Sequence, residues 1–210
     1  MATILRDWSY RYQWLYDTVS FFAALTVGGT QRLHRLGLQQ IDLATAAHWE
    51  VLDLCCGAGA ITEVLVQYFD SVTGLDASPV AIKRAQAKVP QAKYVTGFAE
   101  QMPLGDQSFD LVITNTAMHE MTTGQLEQIF AEVHRVLKRG GKFVIVDFHP
   151  PQNPLYWGPV ALFLYLFETE TAWELLRTNL PQQLQSVGFG NPQINLYAGG
   201  SLQVLQVEKL

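Results

Sequence analysis

Short aliphatic runs alternate with amphipathic segments through the middle of the chain. A run that is apolar throughout is typical of a strand buried on both faces, and apolar residues at a 3.6-residue period are typical of a helix packed on one face. Together these patterns predict strands at 49–55, 71–75, 92–96, 109–114 and 142–148, and helices at 60–69, 79–88 and 123–137. Strands and helices that alternate in this way predict a mostly parallel sheet with helices on both faces.

The chain before the first predicted strand is rich in aromatic residues. Residues 5–27 predict one or two helices that carry most of these side chains, and residues 31–38 predict another short helix. We expect one compact domain in which an N-terminal helical segment, residues 1–42, precedes a core of residues 43–210.

The chain after Pro150 departs from the alternating pattern, because several prolines interrupt it and a strongly apolar stretch follows at 155–167. We expect an apolar insert at about 150–175 within the core, overlapping a predicted helix at 171–187. Two adjacent glycines, a hairpin signal, then separate the last two predicted strands, 192–197 and 201–208.

Composition narrows the class of protein. Hydrophobic residues make up 49% of the chain and charged residues 16%, which argues against long disordered regions. The net charge is -5 and no basic run is present, so nucleic acid is not an expected partner. The two cysteines, Cys55 and Cys56, are adjacent, which excludes a disulfide framework, and no Cys/His spacing predicts a metal site. With no signal-peptide pattern and no apolar run of about 18 residues, we expect a cytoplasmic protein.

The clearest chemical signal is the segment 51–59. A short aliphatic strand carries an acid, Asp53, and runs into a small-residue turn that opens a helix. A turn without bulky side chains lets a ligand approach backbone N–H groups, and the helix N-terminus behind it adds partial positive charge. The next predicted strand is followed by another acid, Asp76, which can accept hydrogen bonds from ribose hydroxyls. These features predict a nucleoside-binding βαβ unit.

Two nucleoside ligands are compatible with such a unit. The dinucleotide fingerprint G-x-G-x-x-G begins at Gly57 and Gly59, but Thr62 stands at its third glycine. A carboxylate at Asp53 would repel a pyrophosphate and suits a ligand with ammonium and sulfonium groups. The spacing Asp53-x-Cys55-x-Gly57-x-Gly59 resembles motif I of class I S-adenosylmethionine (SAM) methyltransferases, with Cys55 in place of the first glycine.

Further segments carry the same resemblance. The segment 98–104 resembles that family's D-A-E-x-L-P-F, with Phe98 in place of the aspartate that accepts from the adenine amino group. Residues 108–112 and 138–141 resemble its S-F-D-x-V and L-K-P-G-G segments. Within the superfamily, Tyr16-Asp17, the stretch from Phe109 to His119 and the stretch from Glu132 to Gly141 look most like the methyltransferase-11 or ubiquinone/menaquinone C-methyltransferase group, a pattern shared with enzymes of phospholipids, sterols and small metabolites.

The resemblance implies a fold, a cofactor and a site. The fold is a Rossmann-like, seven-stranded, mostly parallel sheet with helices on both faces, an antiparallel last strand and an N-terminal helical lid over the cofactor. The cofactor is SAM, with S-adenosylhomocysteine (SAH) as its product. The implied cofactor-binding residues are Tyr16, Asp53, Cys55, Gly57, Gly59, Asp76, Ala77, Phe98, Ala99 and Asn115.

Catalytic residues are harder to predict, because methyl transfer mainly requires alignment and exclusion of water, and a base only where the acceptor loses a proton. His119 is the best candidate base, since it follows a strand at the carboxyl edge of the sheet, where ligands bind. His149 and Asp147 follow the next strand, although Asp147 could equally bond to the backbone. His119 can instead be a loop or helix-start histidine that helps to pack the site, and the remaining histidines, His34, His48 and His134, are interpreted as surface or helix residues.

The acceptor is expected to be a small, apolar molecule such as a prenylated quinol or a lipid-like ring, because two segments rich in aromatic and aliphatic residues, 8–27 and 154–167, flank the same edge. The apolar stretch can alternatively be an ordinary buried helix or a surface that makes peripheral contact with a membrane. Two other functions stay open at this point, an NAD(P)-dependent oxidoreductase and a SAM-binding protein without catalysis.

Overall fold

The alternating pattern builds one seven-stranded sheet in the computed structural model, which describes residues 27–210. The strands are β1 (Glu50–Leu54), β2 (Ser71–Asp76), β3 (Lys93–Thr96), β4 (Phe109–Asn115), β5 (Leu137–Phe148), β6 (Gln193–Tyr197) and β7 (Leu202–Glu208). Their order is β3-β2-β1-β4-β5-β7-β6; the first five are parallel, and β7 runs antiparallel to both of its neighbours. The predicted mostly parallel sheet with an antiparallel last strand is confirmed.

Seven α-helices accompany the sheet in the described part of the chain: α1 (Thr30–Arg35), α2 (Ala60–Leu65), α3 (Pro79–Lys88), α4 (Thr123–Val136), α5 (Trp157–Phe167), α6 (Glu170–Arg177) and α7 (Leu180–Ser186). Short 3-10 turns lie at 36–38, 118–120, 154–156 and 198–200. The aromatic helices predicted at 5–27, and Tyr16 with them, lie almost wholly outside the described residues. The division into a lid segment and a core therefore stays a prediction.

Two apolar clusters lie on opposite faces of the sheet. Successive residues of a central strand point to opposite faces and so join different clusters. In β4, Leu111 and Ile113 belong to one cluster and Val112 belongs to the other, and all three are fully buried. One face is covered by α4 together with residues of α6 and α7, and the other by the 36–38 turn and α2. Strands buried on both sides are expected to be aliphatic throughout, which explains why the pattern of β4 was readable from sequence.

Helix and strand ends differ from the sequence prediction where local bonds intervene. The single helix expected at 171–187 is wrong, because the chain forms α6 and α7 instead. Asn179 accepts from the backbone N–H of Gln182, and Pro181 lies in the first turn of α7, so a new helix begins there. Strand β5 begins earlier than the predicted 142–148, since Leu137 already pairs with Phe109 of β4 before a shift in register, and Gly140 and Gly141 bond to Lys209.

Helix α5 contains the apolar stretch that precedes this break. Only Leu164 is fully buried in it, whereas Leu162 and Tyr165 are 59% and 55% exposed. The interpretation of 155–167 as an ordinary buried helix is therefore wrong. The helix is attached to the sheet through Phe163, whose ring lies 6.0 Å from that of Phe148 at the end of β5. Within residues 27–210, no helix has the length and apolar character needed to cross a membrane.

Candidate functional site

The turn between β1 and α2 has the backbone that its small residues predict. Cys55, Gly57 and Gly59 all have positive φ, at 59°, 51° and 83°. A Cβ on Gly57 would meet nothing within 4 Å, whereas one on Gly59 would lie 3.1 Å from the Cβ of Ala85 in α3. Gly59 thus permits close helix packing and Gly57 leaves space above the turn. Cys55 holds a conformation that costs a non-glycine residue about 1–2 kcal/mol, a strain that concentrates at functional sites.

Two carboxylates flank this turn in different environments. Asp53 is almost fully buried and accepts from the hydroxyl of Thr62 at 2.6 Å. Burial raises the pKa of Asp53 to about 7, with a smaller upward contribution from the charge of Asp76, although the Thr62 hydrogen bonds oppose the shift. Asp76 is half-buried and accepts from the backbone N–H groups of Gly57 at 2.9 Å and Ser78 at 2.8 Å. Its carboxylate therefore joins the turn to the start of α3.

The charge around the turn is negative. Burial, followed by the charges of Asp76, Asp53, Glu100 and Glu120, raises the pKa of the Cys55 thiol to about 12. The pKa of the Cys56 thiol is also raised, with burial as the largest cause. Both thiols are therefore neutral and poor nucleophiles at neutral pH. An acidic pocket wall of this kind suits a cationic ligand and disfavours a pyrophosphate.

The end of β4 contributes an amide to the same edge. Asn115 is partly buried, and its Nδ2 atom is shielded from solvent and has no hydrogen-bond partner among residues 27–210. A buried amide donor without a partner costs about 1–3 kcal/mol, so a bound polar group at this position would stabilise it. The open space at Gly57, the acid Asp76 and this unpaired donor together fit the expected cofactor.

The segment after β3 provides the adenine side of the predicted site. Phe98 is 67% exposed, so its ring is available to a ligand, whereas Ala99 is buried. Ala77, after β2, is exposed as well. The backbone N–H of Gly97 donates to the carbonyl of Asp76 at 3.0 Å, which brings this segment beside the acid at the end of β2. The predicted roles of these three residues toward adenine stay predictions.

His119 and Asp147 form a buried pair at the ends of β4 and β5. The Nδ1 atom of His119 lies 2.8 Å from Oδ1 of Asp147, and its Nε2 atom lies 3.5 Å from Oε2 of Glu168. The ring also packs on Phe148 with a centroid distance of 4.5 Å. Burial by itself lowers the pKa of His119, but the charges of Asp147 and Glu168 and the Asp147 hydrogen bond outweigh it and raise that pKa to about 9.

Asp147 also bonds to the backbone, as the sequence analysis considered. Its carboxylate accepts from the backbone N–H groups of Met118 at 2.8 Å, His119 at 3.3 Å and Phe148 at 2.7 Å. These bonds fix the 118–120 turn against β5. Glu168, at the C-terminal end of α5, was missed by sequence reasoning, because nothing in the linear pattern connects it to a histidine 49 residues earlier.

His149 lies at the same edge but has other contacts. Its Nδ1 atom is within 2.8 Å and 2.9 Å of the carbonyl oxygens of Pro150 and Gly200. These contacts anchor the turn between β6 and β7, and a catalytic role for His149 stays a prediction that no contact of the ring supports. His134 was interpreted as a surface or helix residue; it lies in α4, and its ring packs edge-on against Phe189 at 5.2 Å.

Comparisons with known proteins agree with this geometry. The family model described as "Methyltransferase domain" matches residues 51–141. An uncharacterized methyltransferase, sll0829, from Synechocystis sp. is 54% identical over 206 residues, covering 98% of this chain and 96% of that protein. A demethylmenaquinone methyltransferase of Lactiplantibacillus plantarum is 32% identical over 157 residues, a region that covers 68% of this chain and 65% of that protein.

Solved structures share the fold at low identity. An S-adenosylmethionine-dependent methyltransferase from Mesorhizobium loti superposes with a TM-score of 0.62 at 20% identity, covering 84% of this chain and 95% of that one. A TehB-like SAM-dependent methyltransferase from Corynebacterium glutamicum gives 0.60 at 18% identity, covering 99% of each chain. The oxidoreductase alternative is set aside, since Thr62 occupies the third glycine position and bonds Asp53. The chain belongs to the SAM-dependent methyltransferases, and SAM is its cofactor.

Proposed function

We propose that this methyltransferase acts on a small lipophilic acceptor that loses a proton on methylation, such as a prenylated quinol or a related lipid-like ring. The observation that carries the proposal is helix α5, an exposed apolar helix placed beside the buried His119. Phe163 of α5 packs on Phe148, and Phe148 packs on the His119 ring. An apolar tail that lies along such a helix would gain about 0.8 kcal/mol per buried methylene.

The names of several relatives support a quinone-type acceptor. The matched proteins of Lactiplantibacillus plantarum and Chlorobaculum parvum are named demethylmenaquinone methyltransferases, at 32% and 36% identity. The chain covers 65% and 44% of their lengths, so their acceptor comes to this chain only as a proposal.

The bound cofactor would supply a methyl group activated by its sulfonium, and this chain's residues would align the reactants. In the proposed arrangement, Asp76 accepts from the ribose hydroxyls and Asn115 donates its unpaired Nδ2 proton to the ligand. Asp53 contributes negative charge toward the ammonium and sulfonium groups. The exposed ring of Phe98 lies against the adenine. Tyr16, which lies outside the described residues, remains a proposed contact through the family resemblance.

His119 is proposed to act as the base, with Asp147 and Glu168 holding its ring in place. With a pKa of about 9, most of the imidazole is protonated at neutral pH and cannot accept another proton. Only its neutral fraction can take up the acceptor's proton, so kcat should rise as the pH approaches about 9. A His119→Gln variant should lower kcat and leave SAH affinity unchanged; an unaltered kcat at neutral pH would exclude this role.

A peripheral contact with membranes is a related proposal. Leu155 and Trp157 are 82% and 41% exposed at the start of the apolar segment. Residues 143–176 contain no lysine or arginine, so binding should not depend on anionic lipid. Co-sedimentation with phosphatidylcholine vesicles that is insensitive to salt is expected, and binding that requires anionic lipid would contradict it.

The acceptor class can be tested with radiolabelled SAM and a lipid extract that contains prenylated quinones kept reduced. Label is expected in the extracted lipid fraction, and purified demethylquinols with long and short side chains then report the contribution of the tail. A preference for the long chain by a factor of ten or more is expected. Activity confined to small polar acceptors would overturn the lipophilic assignment while leaving methyl transfer itself intact.

A further inference from the structure

Arg135 is hydrogen-bonded to the loop after β3, which carries Phe98 and Ala99. Its guanidinium donates to the backbone carbonyls of Met102 at 3.0 Å and Leu104 at 2.8 Å, and to the carboxylate of Asp106 at 2.6 Å. It also makes a two-pronged contact with Glu132 on the preceding turn of α4, at 2.8 Å for each pair of atoms. These bonds raise the pKa of Arg135, with the Glu132 hydrogen bonds as the largest cause. The guanidinium is permanently charged and fixed in orientation.

Glu132 completes the grip from the other side. Its Oε2 atom accepts from the backbone N–H of Met102 at 2.7 Å, so the two side chains hold both the N–H and the carbonyl of one loop residue. The hydrogen bonds from Arg135 lower the pKa of Glu132. We call Glu132 and Arg135 the α4 fork.

The loop is held to α4 at further points. Gln125, which belongs to the capping box at the start of α4, donates to the Glu100 carboxylate at 2.6 Å. The backbone N–H groups of Gln107 and Ser108 donate to the carbonyls of Arg135 and Val136 at 3.0 Å and 2.8 Å. The segment from Glu100 to Ser108 is therefore fixed to one helix at several points along its length, and Gly97, just before Phe98, donates its backbone N–H to the carbonyl of Asp76 at the end of β2.

This fixation matters because of the residue at position 98. A phenyl ring offers no acceptor to the adenine amino group, so recognition of that group by an aspartate side chain is lost in this chain. Recognition of the base must then come from other groups of this loop, such as the backbone of Ala99, and such groups can select a base only if the loop that presents them is rigid.

We propose that the α4 fork is a positioning device for adenine recognition, in which Glu132 and Arg135 set the specificity for the base without touching the cofactor. The proposal concerns the cofactor side only and does not depend on the identity of the acceptor. A loosened loop should bind the adenosyl ligand less well and should discriminate poorly between adenine and a base that lacks its amino group.

The test compares SAH with S-inosylhomocysteine, in which the adenine amino group is replaced by an oxygen, by titration calorimetry. Arg135→Lys keeps the charge but cannot form the fork. We expect a roughly tenfold loss of SAH affinity and a smaller loss for the inosyl ligand, so that the ratio of the two affinities falls several-fold. Glu132→Gln should act in the same direction.

Lys138 supplies a matched control. It makes a comparable, partly exposed ion pair with Asp110 at 2.7 Å near the same end of α4, but it does not contact the loop. Lys138→Gln should leave both affinities unchanged. A second substitution, Phe98→Asp, returns an acceptor to the base pocket and should restore discrimination in the Arg135→Lys background.

Two results would overturn the proposal. One is an unchanged ratio of the two affinities in both fork variants; if both affinities fall equally, the role of the fork is merely structural. The other is a change in the ratio of the same size in the Lys138 control. Thermal melts of each variant establish that the protein measured is folded, and if Arg135→Lys does not fold, Glu132→Gln provides the same readout.

Discussion

Asp53 carries a carboxylate whose ionisation the folded chain opposes. Its pKa rises from 3.8 in an ordinary environment to about 7, chiefly through burial. The folded state therefore holds this proton more tightly than the unfolded chain between about pH 4 and pH 7, and the free energy of unfolding falls as the pH rises through that window. The site keeps an acid where an amide would be easier to bury, which suits a cationic ligand.

Replacing Asp53 by Asn should accordingly stabilise the protein without ligand. The amide oxygen can still accept from Thr62, and the unfavourable buried charge is removed. At pH 8 we expect a gain in the free energy of unfolding of about 1–3 kcal/mol, which shrinks toward zero near pH 4. The same variant should bind SAM more weakly. Denaturant unfolding at both pH values and calorimetry with SAM check the two expectations, and a variant less stable at pH 8 would contradict the assignment.

His119 shows the opposite dependence on pH. Its pKa is raised above 6.5 in the folded protein to about 9, so its contribution to stability is complete below about pH 6.5 and is lost as the pH rises through about 9. Proton NMR should find one imidazole that titrates near pH 9, and Asp147→Asn should move that titration downward. A titration of the His119 imidazole itself near pH 6.5 in the unaltered protein would exclude the buried ion pair.

The sequence predicts which residues lie at the ends of the strands, but it does not predict the helix residues that contact them or the neighbouring loop. Asp53, Asp76, Asn115, His119 and Asp147 were predictable, because the ends of parallel strands converge on one edge. Glu168 reaches that edge from the end of α5, and the α4 fork contacts the loop that follows β3 across about 30 residues of chain. Contacts of this kind depend on how helices pack on the sheet, which no local pattern encodes.

At the scale of whole elements, the exposure of α5 decides whether the apolar segment 155–167 is a core helix or a surface helix. Composition alone could not decide whether residues 155–167 are buried, since greasy core helices and greasy surface helices look alike in sequence. The break between α6 and α7 was misjudged for a related reason. Asn179 and Pro181 form a helix start, but a helical period continues across them and hides it.

A pair of substitutions in α5 tests its role. Leu162→Ser removes an exposed side chain and should leave the free energy of unfolding within about 0.5 kcal/mol, while weakening use of a long-tailed acceptor. Leu164→Ala in the same helix empties a fully buried position and should cost about 2–5 kcal/mol of stability. Urea unfolding and acceptor kinetics distinguish the two. If Leu162→Ser leaves the KM of every acceptor unchanged, α5 is not an acceptor surface.

For the molecule as a whole, the cofactor should act as a stabilising ligand. SAH at about 100 times its Kd adds roughly 2.7 kcal/mol to the folded state, which raises the Tm of a chain of this size by about 5–10 °C. NADH at the same concentration should leave the Tm unchanged, because the acidic turn disfavours a pyrophosphate. A comparable shift with NADH would contradict the proposed electrostatics of the pocket.

The position of β7 has a consequence for synthesis of the protein. This strand lies between β5 and β6 in the sheet, although both of its neighbours precede it in the chain. When a ribosome has delivered β6, the aliphatic edge of β5 still has no neighbour, and β6 has nothing to pair with. An unpaired edge of this kind is a template for association with other chains. We therefore expect the nascent chain to be most prone to association in the interval before β7 emerges and pairs with both strands.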